Sequence, residues 1–351
     1  MTWDPVHARQ ATFARPATSH WVAAFLVTGT LLAVGISVAP PALLVAARSL
    51  MFSKFVADGA IDEGRLNDML RRDGVIVMDT ARYGRLVDRK LYDQLSRFAK
   101  QHVGDDTALA RQILLRMSPG RSIGGCGAES LGDKVAMVAG QTGCCSDYTA
   151  AFQVYAGALG LPARRVETET HTTVEYFDHL TGNWIWVDPL YRLQATDKRG
   201  QLLSHYQVRE HLLEHQSIHI LELFDPPIAL ATYHVLFDAT HYAVAYWYPP
   251  TDLLAADEFD EQLRRFHVMR PIRQLASYLL GVRPSPAGLA SPGIVHRLRI
   301  ESGIGWFAVT LSAISLILLT LVVATRGLRQ LFARRVIEAR IGTRAGLEDS
   351  E

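Results

Sequence analysis

The chain has 351 residues, 49% of them hydrophobic and 20% charged, with 36 Lys and Arg against 35 Asp and Glu and a formal net charge of +1. That balance excludes a field of one sign of the kind that gathers nucleic acid, so nucleic acid is not an expected partner. The length allows one sizeable domain with extra segments, or two modest domains.

The apolar residues are concentrated at the two ends. A short tail, 1–20, precedes residues 21–38, which carry no charged side chain and approach the ~20 residues that a helix needs to cross ~30 Å of hydrocarbon. The expectation is a transmembrane helix over 21–47. The alternative is a cleaved signal peptide, since Arg9 and Arg15 precede the run, but the apolar stretch exceeds the usual ~7–15 residues of such a core.

From 48 to 120 the pattern reads as helical. RLNDMLRR is followed by a segment with Leu86, Leu91, Leu95 and Phe98 at three-to-five-residue intervals, then by DTALARQILLRM, which Asp105 or Asp106 would cap. A glycine-rich stretch, SPGRSIGGCGAESLG, opens the next part, 121–250, and reads as a mobile loop rather than a phosphate-binding turn, because no strand precedes it. SDYTAAFQVYAGAL then has helical apolar spacing, ended by Gly160 and Pro162. ARRVETET, HTTVEYFD and NWIWVDP alternate as strands do, with LTGN as the turn between the last two. HYQVREHLLEHQ reads as helix, ALATYHVLF and HYAVAYWY as strands. In 251–301 the segment TDLLAADEFDEQLRRF is helical and VRPSPAGLASPG reads as a linker.

The second uncharged run, 303–325, predicts another transmembrane helix over 302–325, with a buried core helix as the alternative. The tail 326–351 carries Arg326, Arg329, Arg334, Arg335, Arg340 and Arg344. Basic residues accumulate on the cytoplasmic side, so the expected topology is a two-pass inner-membrane protein with both termini cytoplasmic and the central domain outside. Membrane lipid is then an expected partner.

Chemistry concentrates between 141 and 189. A thiol nucleophile works as thiolate, which a helix N-terminus favours, and Cys145 stands at the first turn of a predicted helix. A base must take the proton and a third group must orient the base: His171 opens one strand of the predicted hairpin and Asp188 closes the next.

GCCSDYTAAFQVYAGALGLPARRV followed by HTTVEYFDHLTGNWIWVDP resembles the core of the transglutaminase-like superfamily, whose pattern is G-x-C-x-[DE]-[YF]-A, a helix, G-[IL]-P-A-R, then H-x-x-[VA]-E and W-x-x-[VL]-D-P. Gly143, Cys145, Asp147, Tyr148, Gly160, Pro162, Ala163, Arg164, His171, Glu175, Trp184, Asp188 and Pro189 fall on it in order, and the match spans roughly residues 133–191. The resemblance implies an α+β papain-like fold, a catalytic helix packed on an antiparallel sheet, here flanked by the two membrane helices. It also implies Cys145 as nucleophile, His171 as base and acid, and Asp188 as the residue that orients the imidazole. Thr149, Thr173 and Cys144 depart from the family's usual residues, which makes the substrate pocket unlike that of its relatives. The oxyanion donors expected are the Cys145 backbone N–H and, second, Gln141.

Cys126 and Cys144 are candidates for a disulfide that leaves Cys145 free. Two unpaired thiols, or a strained bridge between Cys144 and Cys145, are the alternatives. His211, His215 and His219 recur every four residues, so an unbroken helix would align them for a metal, although solvated histidines explain the spacing equally well. No cofactor and no metal site are expected. The functional expectation is thioester acyl transfer on an exported protein or a cell-envelope peptide, by hydrolysis or by transfer to an amine. The alternative is an inactive interaction module of the same fold.

Overall fold

The computed structural model describes residues 54–300, except 58, 71–78, 118–123, 169–170, 215, 224–242, 248–250 and short breaks between 269 and 298, together with 321, 324 and 325. In chain order the elements are β1 (Lys54–Ala57), α1 (Glu63–Leu70), α2 (Thr80–Tyr83), α3 (Arg89–Gln101), α4 (Asp106–Arg116), α5 (Leu131–Ala139) and α6 (Cys145–Ala158). They continue with β2 (Ala163–Thr168), β3 (Thr172–Asp178), β4 (Asn183–Asp188), β5 (Leu193–Thr196), α7 (His205–Leu213), β6 (His219–Glu222), β7 (Ala243–Tyr246), α8 (Thr251–Arg265) and β8 (Ala287–Ala290).

Helix starts follow local chemistry. Asp88 accepts the Leu91 N–H at 2.8 Å to begin α3, and Asp105, rather than Asp106, accepts the Ala108 N–H at 2.8 Å to begin α4. Ser130 with Asp133 and Ser204 with Gln207 form capping boxes at α5 and α7.

The strands form one eight-stranded sheet in the order β1-β8-β7-β2-β3-β4-β5-β6. Every neighbouring pair is antiparallel except β1 and β8, so the sheet is mixed. The β3–β4 hairpin turns through Gly182, whose φ of 70° suits a residue without a Cβ. Helix α6 is buried on all sides from Asp147 to Ala158 and forms the middle of the main core with Leu109, Ile113, Val135, Val174 and Val187. A helix enclosed in this way is held by packing rather than by propensity.

The expectation of flanking transmembrane helices is corrected. Residues 21–47 and nearly all of 302–325 lie outside the described residues, as do both tails, 1–20 and 326–351. Among the described residues no helix is long and apolar enough to cross a membrane. One of the longest, α8, has 15 residues and is richly charged, against the ~20 apolar residues a span requires. The two-pass inner-membrane placement with cytoplasmic termini is set aside with it. What stands is an α+β unit built on a mixed eight-stranded sheet, not an antiparallel sheet between two anchors.

Two further differences concern the sheet's edge. The region 48–120 is not wholly helical, because β1 lies within it, and the Pro/Gly-rich segment 282–293 is not only a linker, because its AGLA is strand β8, buried throughout and paired on both sides. The predicted strand at 229–237 lies outside the described residues, whereas HYAVAYWY contains β7.

One close approach locks α6. A Cβ on Gly157 would meet the ring of the fully buried Tyr83 at 2.8–3.0 Å. Gly157→Ala should therefore destabilise the fold by about 1–3 kcal/mol despite alanine's better helix propensity, read as a lower urea midpoint at unchanged slope.

Candidate active site

Helix α6 begins with Cys145, and Cys144 occupies its N-cap. Asp147 accepts the Cys144 N–H at 3.0 Å and lies 3.4 Å from the Lys134 ammonium, so this buried carboxylate is both bonded and paired. One turn along the same face, Thr149 donates its hydroxyl to the Thr172 carbonyl at 3.1 Å. Residues four apart share a helix face, so this bond sets Cys145 beside the beginning of β3.

His171 precedes β3 by one residue. Its N–H donates to Thr168 Oγ1 at 3.1 Å, and the Thr168 N–H donates to the His171 carbonyl at 2.8 Å, which fixes the backbone that carries the imidazole. The β3–β4 register, with Val174 opposite Val187, carries Asp188 to the same end of the hairpin. Imidazole Nε2 donates to Asp188 Oδ2 at 2.6 Å, while Asp188 Oδ1 accepts the N–H groups of Leu190 at 2.9 Å and Tyr191 at 3.0 Å. With Nε2 engaged, Nδ1 is the nitrogen left to face the Cys145 thiol, and the thiol and the imidazole shift each other's titration. The structure thus brings Cys145, His171 and Asp188 together.

Burial alone pushes the Cys145 thiol up. The His171 hydrogen bond and charge, followed by the N–H and hydroxyl of Thr172, outweigh it, so the thiol titrates below its ordinary 9.0. For His171, burial disfavours the charged ring, but the Asp188 carboxylate and then the Cys145 sulfur prevail and push it up to about 10. The favourable imidazolium charge persists until pH rises through about 10, and the favourable thiolate charge is lost as pH falls through the lowered thiol pKa. Between those limits the pair is thiolate and imidazolium, the reactive form.

Compared with protein-family models, curated proteins and solved structures, the chain matches none. The functional reading therefore rests on the site's own geometry.

Cys126 and Cys144 form a disulfide and Cys145 is the free thiol. The Ser146 hydroxyl donates to the Cys144 sulfur at 3.2 Å. The glycine-rich stretch, expected to be mobile, is pinned over its described part: the Gly124 N–H donates to the Gly143 carbonyl at 3.0 Å, Cys126 is bridged, and Glu129 meets Arg273 at 3.2 Å. Gln141 sits in the turn before α6 with a φ of 59°, its backbone N–H donating to the Val138 carbonyl, and it contributes no bond to the triad. The histidine row is broken: α7 ends at Leu213, His219 opens β6, and His215 lies outside the described residues. Among the described residues no three His, Cys, Asp or Glu side chains are grouped to hold a metal.

Sequence reasoning missed Thr172, Tyr191 and His205. The Tyr191 ring lies 5.7 Å from that of His171. His205 is buried, pushed down to about 3 by burial and by the charges of Arg209, His171 and Arg164, and is therefore neutral. Its N–H donates to Glu175 Oε1 at 2.7 Å, and Arg164 Nε donates to Glu175 Oε2 at 2.6 Å. Arg164 also lies 4.1 Å over the Trp184 ring. Glu175 and Arg164 were legible as motif positions, but nothing along the chain linked them to His205.

Two measurements check this site. Denatured without reductant, the protein should show one reactive thiol, and three after reduction. In the native state, the rate of iodoacetamide alkylation should rise with pH through a midpoint below 9.0, and Asp188→Asn should move that midpoint upward, because an imidazole without its carboxylate holds its proton less firmly.

Proposed function

We propose that this chain is a cysteine-dependent acyl-transfer enzyme of transglutaminase-like type, acting on an amide or peptide bond with water as the default acceptor and an amine as the other. The observation that supports it is a thiol at a helix N-terminus, its titration lowered by an imidazole whose Nε2 is held at 2.6 Å by a fully buried carboxylate. Three such groups in series are what nucleophilic catalysis requires, and a buried His–Asp pair carries a desolvation cost that use in catalysis would explain.

In this reading the Cys145 thiolate attacks the substrate carbonyl, and the C–O electron pair becomes an oxyanion. The Cys145 backbone N–H at the start of α6 is the donor that faces it. His171 gives its Nδ1 proton to the leaving amine, the C–N bond breaks, and a thioester remains on Cys145. Neutral His171 then takes a proton from water as the water oxygen attacks the thioester. The acid leaves and the thiolate–imidazolium pair is restored. Asp188 keeps Nε2 protonated and the ring oriented.

The test is turnover of a peptide-amide library together with labelling by an electrophilic peptide, followed by intact-mass analysis. Cys145→Ala should lose the adduct and all turnover, and His171→Ala should reduce turnover by about 10²–10⁴-fold while the protein stays folded. If Cys145 labels no faster in the folded chain than in the unfolded one, the enzyme reading is lost and a binding module of this fold replaces it.

A further inference from the structure

A single hydrogen bond fixes one atom of a planar ring and leaves the ring free to swing about it. Asp188 holds the His171 imidazole at Nε2 only, so the angle at which the ring presents its other nitrogen needs a second contact. The turn after β4 supplies one. There the Tyr191 ring lies 5.7 Å from the imidazole between centroids, tilted by 45°, within the ~4.5–7 Å of favourable aromatic pairs.

The same carboxylate places that ring. Asp188 Oδ1 accepts the Tyr191 N–H at 3.0 Å while Oδ2 accepts the imidazole N–H, so carboxylate, imidazole and tyrosine close a loop of three contacts. Tyr191 is itself held on both sides. Arg192 follows it in the left-handed region, at a φ of 53°, with its carbonyl accepting the Leu223 N–H at 3.0 Å, and the half-buried phenol ring packs between the main core and the cluster of Trp186, Leu193 and Val208.

We propose that Tyr191 is a positioning residue for His171: its ring stops the imidazole from swinging about the Asp188 bond and so keeps the base aimed for catalysis. The proposal rests on the acyl-transfer reading of Cys145. Among the described residues, the titratable groups that act on His171 are Asp188 at the end of β4 and Cys145 at the start of α6, while His205 on α7 feels its charge and is neutral. Burial, then the charges of Asp188 and Cys145, push the Tyr191 phenol up, so it adds no charge of its own. Its action is that of a wall.

The test follows iodoacetamide alkylation of the full chain across pH for the native protein, Tyr191→Ala, Tyr191→Phe, His171→Ala and the Tyr191→Ala, His171→Ala double variant, with folding checked by thermal melting. The N–H bond to Asp188 survives each change at 191, so the ring alone is removed. Tyr191→Ala should raise the Cys145 midpoint by about half a pH unit, about a threefold fall in thiolate below it, and Tyr191→Phe should return it to the native value. Where Tyr191→Ala does not fold, Tyr191→Leu, which fills the space without a flat face, is read in its place, with the same direction of shift. In the His171→Ala background the loss of the ring should move nothing further, because there is no imidazole to position. An unchanged midpoint in a folded ring-free variant overturns the proposal, and so does an equal shift in the His171→Ala background, which would mean that Tyr191 acts on the sulfur directly. If His171→Ala raises the midpoint and Tyr191→Ala does not, only the role of Tyr191 is lost; if His171→Ala leaves it in place, the acyl-transfer reading falls and takes this proposal with it.

Discussion

The hydrogen bond between His171 Nε2 and Asp188 Oδ2, 2.6 Å long and closed to solvent, is the contact on which the arrangement of this site depends. A carboxylate with no exposed surface is costly unless its lone pairs are satisfied, and Asp188 meets that condition with the imidazole on one oxygen and two backbone N–H groups on the other. Because the tight turn after β4 supplies those two donors, the carboxylate cannot rotate away from the ring. The ring in turn presents one nitrogen to Cys145. Without the carboxylate, a buried imidazole would be neutral, and the thiol would lose the charge that draws it toward the anion.

The surrounding structure holds these groups in place from several directions. Helix α6 is enclosed by the core, and the Thr149 bond to Thr172 fixes its position along β3. The β3–β4 hairpin rests on a second buried charge pair, Arg164 with Glu175, which is extended by the His205 N–H and by Asn67. Removing one partner of such a pair leaves an uncompensated charge, at a cost of about 3–5 kcal/mol. This network sits close enough to lower the protonation of His205 through the charge on His171, so the two buried systems are electrostatically linked.

The loop before α5 adds a covalent constraint at the helix start. Its described part is fastened by the Gly124–Gly143 backbone bond, by the Cys126–Cys144 bridge and by the Glu129–Arg273 ion pair, and Arg273 continues to Asp260 on α8. The N-cap of α6 is therefore tied into the fold through its sulfur, while the adjacent residue keeps a free thiol. Two neighbouring cysteines thus do different work because only one of them lies across from Cys126.

Much of the candidate site was legible along the chain, because it is made of short-range patterns. The start of α6 at Cys145, the hairpin with its glycine turn, and the positions of His171 and Asp188 at one end of that hairpin all follow from spacing within about fifty residues. The cap at Asp105 is equally local. The edge of the sheet was not legible: β1 and β8 are four residues each, and AGLA is a strand paired with β1 and β7, where Gly288 lets the Phe55 ring lie at 2.3–2.6 Å from the place of a Cβ. The Thr149–Thr172 bond and the neutral His205 were hidden for the same reason. Their roles come from a strand ending next to a helix and from charges on distant elements, which only the folded chain brings within reach. The sequence by itself determined which residues have the chemistry of a thiol, a base and a carboxylate in a local frame; the tertiary structure decided their hydrogen bonds, their burial and hence their charge, because those depend on what packs against them.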